Sequence, residues 1–290
     1  MEPVLFALHA WQAVLLCLLF AVIYVGSLYA WINNTNRTRD HPEIIKRRFV
    51  SVGIVALIVP PLLWCFSKYQ TSTNPDGRTL FEWLGLRFWG FIPAFVLPLL
   101  LTMVLFSGPL YLHYIDGVFS LYLEPKYWSS SFKSLIWLRN HLVAPFSEEF
   151  IFRACMLPVL VPSFGEWYAV FCCPLFFGVA HFHHMIETVI FGHQAVKDAL
   201  KQSIFQLFYT TIFGAYSAFL FLRTGHLVAP VIAHAFCNHM GFPPFNEVMA
   251  HQQPGRTKII FFFIAGLSAW LILLYPLTDP SFYSNVVYNL

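Results

Sequence analysis

WQAVLLCLLFAVIYVGSLYAWI, residues 11–32, contains no charged side chain and is long enough to cross the hydrocarbon core of a bilayer as one helix. It lacks the basic leader and small-residue cleavage site of a secretory signal, so we read it as a retained first span. Further apolar runs lie near residues 49–66, 88–115, 166–184, 203–222 and 258–277. The sequence therefore predicts a polytopic integral membrane protein.

The overall composition supports this class. Hydrophobic residues make up 58% of the 290 residues and charged residues only 11%, whereas a soluble domain is about a quarter charged. The net charge of +3 is small, and the basic residues do not form the patch typical of a nucleic-acid partner. We expect one membrane domain over residues 1–290, in contact with the lipid bilayer and without a second, soluble domain.

Two less apolar segments, near residues 140–161 and 227–243, have short connections that leave them no place outside the bilayer. The first contains the charged residues Glu148, Glu149 and Arg153, and the second contains His234, Asn238 and His239. We therefore predict an all-α bundle of about eight transmembrane helices, or seven if one segment is not inserted.

The basic loop residues predict the orientation of the bundle. If residues 37–48 are cytoplasmic, the cytoplasmic loops hold twelve basic residues and the opposite loops hold four, as the positive-inside rule expects. The cytoplasmic set is Arg37, Arg39, Lys46, Arg47, Arg48, Lys126, Lys133, Arg139, Lys197, Lys201, Arg256 and Lys258, and the opposite set is Lys68, Arg78, Arg87 and Arg223. Both termini would be lumenal, and the sequons at residues 33–35 and 36–38 would stay unglycosylated.

Ionisable residues inside a bilayer are costly, so each is a candidate for function. Glu149 and Arg153 are four residues apart and can form an ion pair on one helix face. Glu148 points about 100° away from that face, and a partly desolvated carboxylate is a good proton acceptor. We therefore assign Glu148 as a general base, with an unreactive charge cluster as the alternative.

Two further motifs carry imidazole and amide groups. His181 follows a turn of small residues that lets another helix approach. His234 and Asn238 share one helix face and can both donate to a developing oxyanion, although they could instead form interhelical hydrogen bonds. The predicted topology brings Glu148, His181, His234 and Asn238 to one depth, in the cytoplasmic halves of three helices, and so predicts a single site.

The ordered motifs EExxxR (148–153), FxxxH (177–181) and HxxxN (234–238) resemble those of the type II CAAX prenyl endopeptidases, a family of intramembrane proteases. Further stretches that look like the eukaryotic branch lie at residues 81–87, 98–103, 176–184 and 223–227. The resemblance runs from about residue 81 to 282. Residues 1–80 resemble the family only in hydropathy.

The resemblance implies an enzyme of the endoplasmic reticulum membrane whose helices surround a cavity open to the cytosol, with the active site facing the cytosol. Its substrates would be farnesylated or geranylgeranylated CAAX proteins, such as Ras-type small GTPases, from which it would release the last three residues. It further implies that Glu148 and His181 activate a water, that His234 and Asn238 stabilise the oxyanion, and that Glu149 and Arg153 support the site. We expect neither a cofactor nor a metal.

Three alternatives stay open. A zinc protease would need a metal site, and no HExxH motif is present, although His181, His183 and His184 could form one. A cysteine nucleophile could be Cys155 or Cys237, but a thiol in apolar surroundings is a poor nucleophile. A non-catalytic binder or chaperone of prenylated tails would need the apolar cavity without Glu148. The six cysteines all lie in apolar stretches, where we expect them to pack as small hydrophobic residues.

Overall fold

The computed structural model describes residues 2–31, 39–69, 77–190 and 194–290, without the side chains of His184 and Ile190. The predicted cytoplasmic sequons lie outside these residues. The helices are α1 (Ala10–Tyr29), α2 (Pro42–Cys65), α3 (Leu80–Trp83), α4 (Phe91–Leu105), α5 (Ser107–Ile115), α6 (Val118–Tyr122), α7 (Pro125–Lys133), α8 (Leu135–Leu138), α9 (Ala144–Glu149), α10 (Leu157–Phe164), α11 (Glu166–Ala180), α12 (His183–Ile190), α13 (Val196–Thr224), α14 (Val228–Met240), α15 (Phe245–Ala250) and α16 (Gly255–Leu277). A short antiparallel pair joins β1 (Val4–Leu5) to β2 (Lys68–Tyr69), and a 3₁₀ turn covers Pro280–Tyr283.

Six spans in the described part of the chain are long and apolar enough to cross a membrane. They are α1, α2, the α11–α12 stretch up to Val189, α13, α16 and, counted as one bent span, α4 with α5. The bend between α4 and α5 is 73°, and Pro109, near the start of α5, explains it because proline cannot donate to the preceding turn and crowds its carbonyl. These spans match the six clear apolar runs, so the polytopic all-α class is confirmed.

The two less apolar segments are helical but behave differently from the six spans. Helix α14 has 13 residues, or about 20 Å, which is shorter than the hydrocarbon core of about 30 Å. Residues 135–164 form one broken helical stretch, in which the π-helical turns Arg139–Val143 and Phe150–Cys155 flank α9. Neither segment qualifies as a span by length and hydropathy, so the count of eight transmembrane helices stays a prediction.

The charged motif lies at the centre of the bundle. Every residue from Phe150 to Leu160 is buried, and Arg153 has no exposed surface at all. By contrast, α2 and α16 expose large apolar side chains such as Leu57 and Ile272, as expected of helices that face lipid. The charges of the motif segment lower its hydropathy. The bundle tolerates them because they are enclosed by protein rather than by lipid.

Close packing of α11 against α13 brings the remaining polar residues to this centre. A Cβ at Gly214 of α13 would approach Pro174 to 2.8 Å and the Arg153 guanidinium to 2.9 Å. A Cβ at Gly178 of α11 would approach the Leu207 side chain to 2.7 Å. The two glycines therefore allow both helices to close around Arg153, as small residues do in membrane helix packing.

Candidate active site

Glu149 and Arg153 form the ion pair that their spacing predicts. Arg153 Nε lies 3.2 Å from Glu149 Oε2, and both side chains are fully buried. The Arg153 guanidinium also covers the ring of Phe177, with 4.4 Å from its central carbon to the ring centroid, a favourable cation–π contact. The pair therefore forms a charged centre shielded from solvent.

Glu149 has two further partners that sequence reasoning missed. Ser217 Oγ of α13 donates to Glu149 Oε2, and His234 Nδ1 of α14 lies 2.8 Å from Glu149 Oε1. The only available signal for Ser217 was a hydroxyl on an apolar span, which is too common to point to a site. Glu149 thus connects the motif segment to α13 and α14.

The imidazole of His234 lies between the two glutamates. Its Nδ1 contacts Glu149, and its Nε2 lies 3.8 Å from Glu148 Oε2. Because Glu149 is paired with Arg153, its carboxylate is an acceptor, so Nδ1 carries the proton of that hydrogen bond. The sequence predicted His234 beside Asn238, and it did not predict this contact with both carboxylates.

Glu148 differs from Glu149 in its access to solvent. Its side chain is 21% exposed, whereas that of Glu149 is fully buried. Glu148 lines a cavity of about 750 Å³, and neither Glu149 nor Arg153 does. Two adjacent carboxylates therefore stand in different surroundings, one open to a substrate and one enclosed.

His181 and Asn238 line the same cavity as Glu148 and His234. His181 lies just beyond the end of α11, and its Nδ1 is 2.7 Å from the carbonyl oxygen of Phe177. That oxygen can only accept, so Nδ1 is the donor, and in the neutral ring Nε2 carries the lone pair. Asn238 Nδ2 donates to the backbone carbonyl of Asn140 over 2.9 Å. The four side chains predicted for catalysis thus meet at one cavity.

The rest of the cavity wall is largely apolar. Phe205, Phe208 and Ile212 of α13 line it and are each more than half exposed. Val25 and Leu28 of α1 form part of another side. This lining suits an extended hydrocarbon group, because burial of apolar surface favours binding.

The structure also locates the cysteines and histidines of the thiol and zinc mechanisms. Cys155 is fully buried and does not line the cavity, whereas Cys237 does. His183 lines the cavity with its Nδ1 at 2.6 Å from the Ala180 carbonyl, and the side chain of His184 lies outside the described residues. Among the described residues, no three His, Cys, Asp or Glu side chains are grouped to hold a metal ion.

The fold and this cavity define an integral membrane protein whose helices enclose a cavity lined by carboxylate, imidazole and amide side chains. A family model described as type II CAAX prenyl endopeptidase Rce1-like matches residues 130–240. The chain is 46% identical to CAAX prenyl protease 2 of Homo sapiens, over 96% of this chain and 85% of that protein. Identity is 41% to the Rattus norvegicus protein of the same name, over 96% and 84%, and 32% to that of Arabidopsis thaliana, over 94% and 91%.

The chain therefore belongs to the type II CAAX prenyl endopeptidase family, a family of proteases, and the resemblance seen in its motifs is confirmed. The aligned regions include most of residues 1–80, which the motifs did not reach. No solved structure matches the chain.

Proposed function

We propose that this CAAX prenyl endopeptidase cleaves the peptide bond after the prenylated cysteine with a water that Glu148 and His181 activate. His234 and Asn238 would stabilise the oxyanion. The observation that carries the proposal is that these four side chains come from three separate segments and line one cavity. A carboxylate and an imidazole suit proton transfer, and hydrogen-bond donors suit the developing negative charge.

Glu148 is the base in this mechanism because it is the glutamate that reaches the cavity. Glu149 is held by Arg153, Ser217 and His234. His181 accepts a hydrogen bond from the water through Nε2 and orients it, since its Nδ1 is engaged by Phe177. Glu148 takes a proton from this water, and the resulting hydroxide attacks the carbonyl carbon. When the C–N bond breaks, the same proton passes to the leaving amine, which departs as the free tripeptide. Atoms and charge balance without a cofactor.

His234 donates to the oxyanion through Nε2 only in its imidazolium form, because Nδ1 already donates to Glu149. Asn238 has two N–H donors on its amide, and one of them is engaged by Asn140. The other supplies the second donor of the oxyanion hole. Glu149 and Arg153 are thus positioning residues that act through His234.

The prenyl group of the substrate would occupy the apolar part of the cavity. Burial of a prenyl chain contributes about 0.8 kcal/mol per CH₂. The exposed aromatic and aliphatic side chains of α13 supply a wall next to the bilayer. A farnesyl or geranylgeranyl chain would enter between helices while its cysteine stays near Glu148.

The multi-pass protein would lie in the endoplasmic reticulum membrane with this cavity facing the cytosol, where Ras-type GTPases and other CAAX proteins are found. The support is the basic bias of the loops and the lining of the cavity by Arg39, Arg48 and Arg139, all on the predicted cytoplasmic side. A glycosylation reporter inserted between α12 and α13, at residues 191–195, should stay unmodified, and one inserted between β2 and α3, at residues 70–78, should be modified. The reverse pattern would overturn the orientation and the choice of substrate.

The decisive experiment is cleavage of a farnesylated CAAX peptide by the purified protein in detergent. Mass spectrometry should detect loss of the last three residues with wild type and no loss with Glu148→Gln. Expression and unfolding temperature of Glu148→Gln should match wild type. A protein that binds the peptide without trimming it would be a binder of prenylated tails, and turnover by Glu148→Gln near the wild-type rate would remove Glu148 from the mechanism.

A further inference from the structure

Three arginines lie at one end of the active-site cavity. Arg39 precedes α2, Arg48 lies within α2, Arg139 begins the π-helical turn before α9, and all three line the cavity. Asp40 accepts a hydrogen bond from Arg139 over 2.8 Å, and Glu187 accepts one from Arg48 over 2.7 Å. Three cations therefore face two anions, which leaves this end of the cavity positive.

The three arginines act together on Asp40. The hydrogen bond from Arg139, with the charges of Arg139, Arg39 and Arg48, holds the pKa of Asp40 below its usual range despite some desolvation. This cluster stabilises a carboxylate, and it lies beside the cavity into which a peptide C-terminus would extend.

Arg139 retains donors for a second carboxylate. Its Nε donates to Asn140 Oδ1 over 3.0 Å, and its Nη1 donates to Asp40. Within the described part of the chain, its Nη2 makes no hydrogen bond, although the side chain is only 19% exposed. A guanidinium carries five N–H donors, so the two on Nη2 of Arg139 are available to a second carboxylate.

The position of Arg139 along the helical stretch matches the length of the released peptide. Arg139 lies nine positions before Glu148, an axial rise of about 13.5 Å along an α-helical backbone, and both side chains line the cavity. Three extended residues span about 10–11 Å. A substrate whose scissile bond lies at Glu148 would therefore bring the carboxylate of its third following residue close to Arg139.

We propose that Arg139, with Arg39 and Arg48 beside it, binds the terminal carboxylate of the substrate and thereby sets the released fragment at three residues. The inference rests on the proposed function, since it takes Glu148 as the point of cleavage. An amidated C-terminus would lose the charge, and a tail extended by one residue would place its carboxylate beyond the arginine. Both should bind less well.

The test compares three farnesylated CAAX peptides with the purified full chain: a free carboxylate, the C-terminal amide, and the free acid extended by one alanine. For wild type, KM should be about 10- to 100-fold higher for the amide and the extended peptide, the range expected from losing a charged hydrogen bond. Turnover at saturation should change much less, because the contact is made equally in the ground and transition states.

Variants then assign the effect to the cluster. Arg139→Gln should raise KM for the free acid to the level of the amide and leave KM for the amide unchanged. Arg139→Lys should restore part of the preference. Arg48→Gln should reduce it and serves as the second variant if Arg139→Gln does not fold. Arg47→Gln is the matched control, because Arg47 is next to Arg48 but does not line the cavity, and it should keep the full preference.

The outcomes separate this inference from the proposed function. If wild type cleaves none of the peptides, the proposed function fails. If wild type cleaves the free acid and the amide with equal KM, the endopeptidase activity stands and carboxylate binding is refuted. Carboxylate binding by Arg139 is also refuted if Arg139→Gln raises KM for both peptides by the same factor, since a structural defect would act on both.

Discussion

Replacing Glu149 by glutamine should destabilise the protein more than the replacement of Glu148 by glutamine in the same EExxxR motif. The substitution would keep the size of the side chain but leave the buried Arg153 charge without its partner. Within the described residues, neither Nη of Arg153 has a hydrogen-bond partner, so no other acceptor would replace the carboxylate, and only the ring of Phe177 would still face the charge. Breaking a buried pair in this way costs about 3–5 kcal/mol, or roughly 6–20 °C in Tm at about 2–4 °C per kcal/mol.

The chain contains a matched control for this change. Glu43 and Arg47 of α2 form a pair with the same spacing, but both side chains are more than a third exposed. Glu43→Gln should therefore cost less than about 0.5 kcal/mol. Thermal unfolding of the purified proteins in one detergent, followed by tryptophan fluorescence, measures both changes.

A double substitution tests the cause of the loss. Glu149→Gln with Arg153→Met removes both charges and fills the site with an apolar side chain, so it should be more stable than Glu149→Gln alone. If the double variant loses as much as the two single variants added together, the uncompensated charge is not the cause. A Tm of Glu149→Gln within about 2 °C of wild type, less than 1 kcal/mol on the same scale, would refute the reasoning altogether.

Three further predictions follow from the site and its surroundings. Asn238→Ala should lower kcat for a farnesylated peptide by about 100- to 1000-fold and leave KM nearly unchanged, because an oxyanion donor acts mainly in the transition state; a change in KM alone would end that assignment. A variant with Cys155 and Cys237 both changed to alanine should stay active, as should wild type treated with 1,10-phenanthroline; loss with the chelator and rescue by zinc would favour a metal enzyme. The Tm difference between wild type and Asp40→Asn should be constant from pH 7 to about pH 4, the range above the unfolded-state pKa of about 3.9. It should vanish as the pH falls further, through the lowered pKa of Asp40 in the folded protein. A difference that persists at the lowest pH would show that the ion pair with Arg139 is not its source.

The sequence predicts the class of fold well because length and hydropathy suffice for it. The six clear apolar runs became six spans, since each is long enough to cross a bilayer and carries few charges. The motif segment around Glu148 was harder to assign, because a window of hydropathy cannot distinguish charges enclosed by protein from charges in water. The ends of this segment and its two π-helical turns depend on contacts with other helices, which cannot be read from the sequence.

The site could be predicted in its members but not in its contacts. Helical spacing was enough to pair Glu149 with Arg153 and to give His234 and Asn238 a common face. Spacing within one helix says nothing of partners on another, so it could not reveal that His234 lies between Glu149 and Glu148 or that Ser217 contacts Glu149. Arg139 was counted only as a basic loop residue, and its place at the cavity followed from the structure.

The combined charge of Glu148, Glu149, Arg153 and His234 bears on how one imidazole can serve both glutamates. With His234 neutral, Glu148, Glu149 and Arg153 carry a net charge of −1, and protonation of His234 brings the cluster to zero. In the proposed mechanism Glu148 then accepts the proton of the attacking water, so the cluster becomes positive as the negative oxyanion forms beside it. The attraction is therefore greatest in the transition state, where it accelerates the reaction. In that mechanism Arg153 would contribute although it does not line the cavity, because without its charge Glu148 and Glu149 would be two anions beside one imidazole.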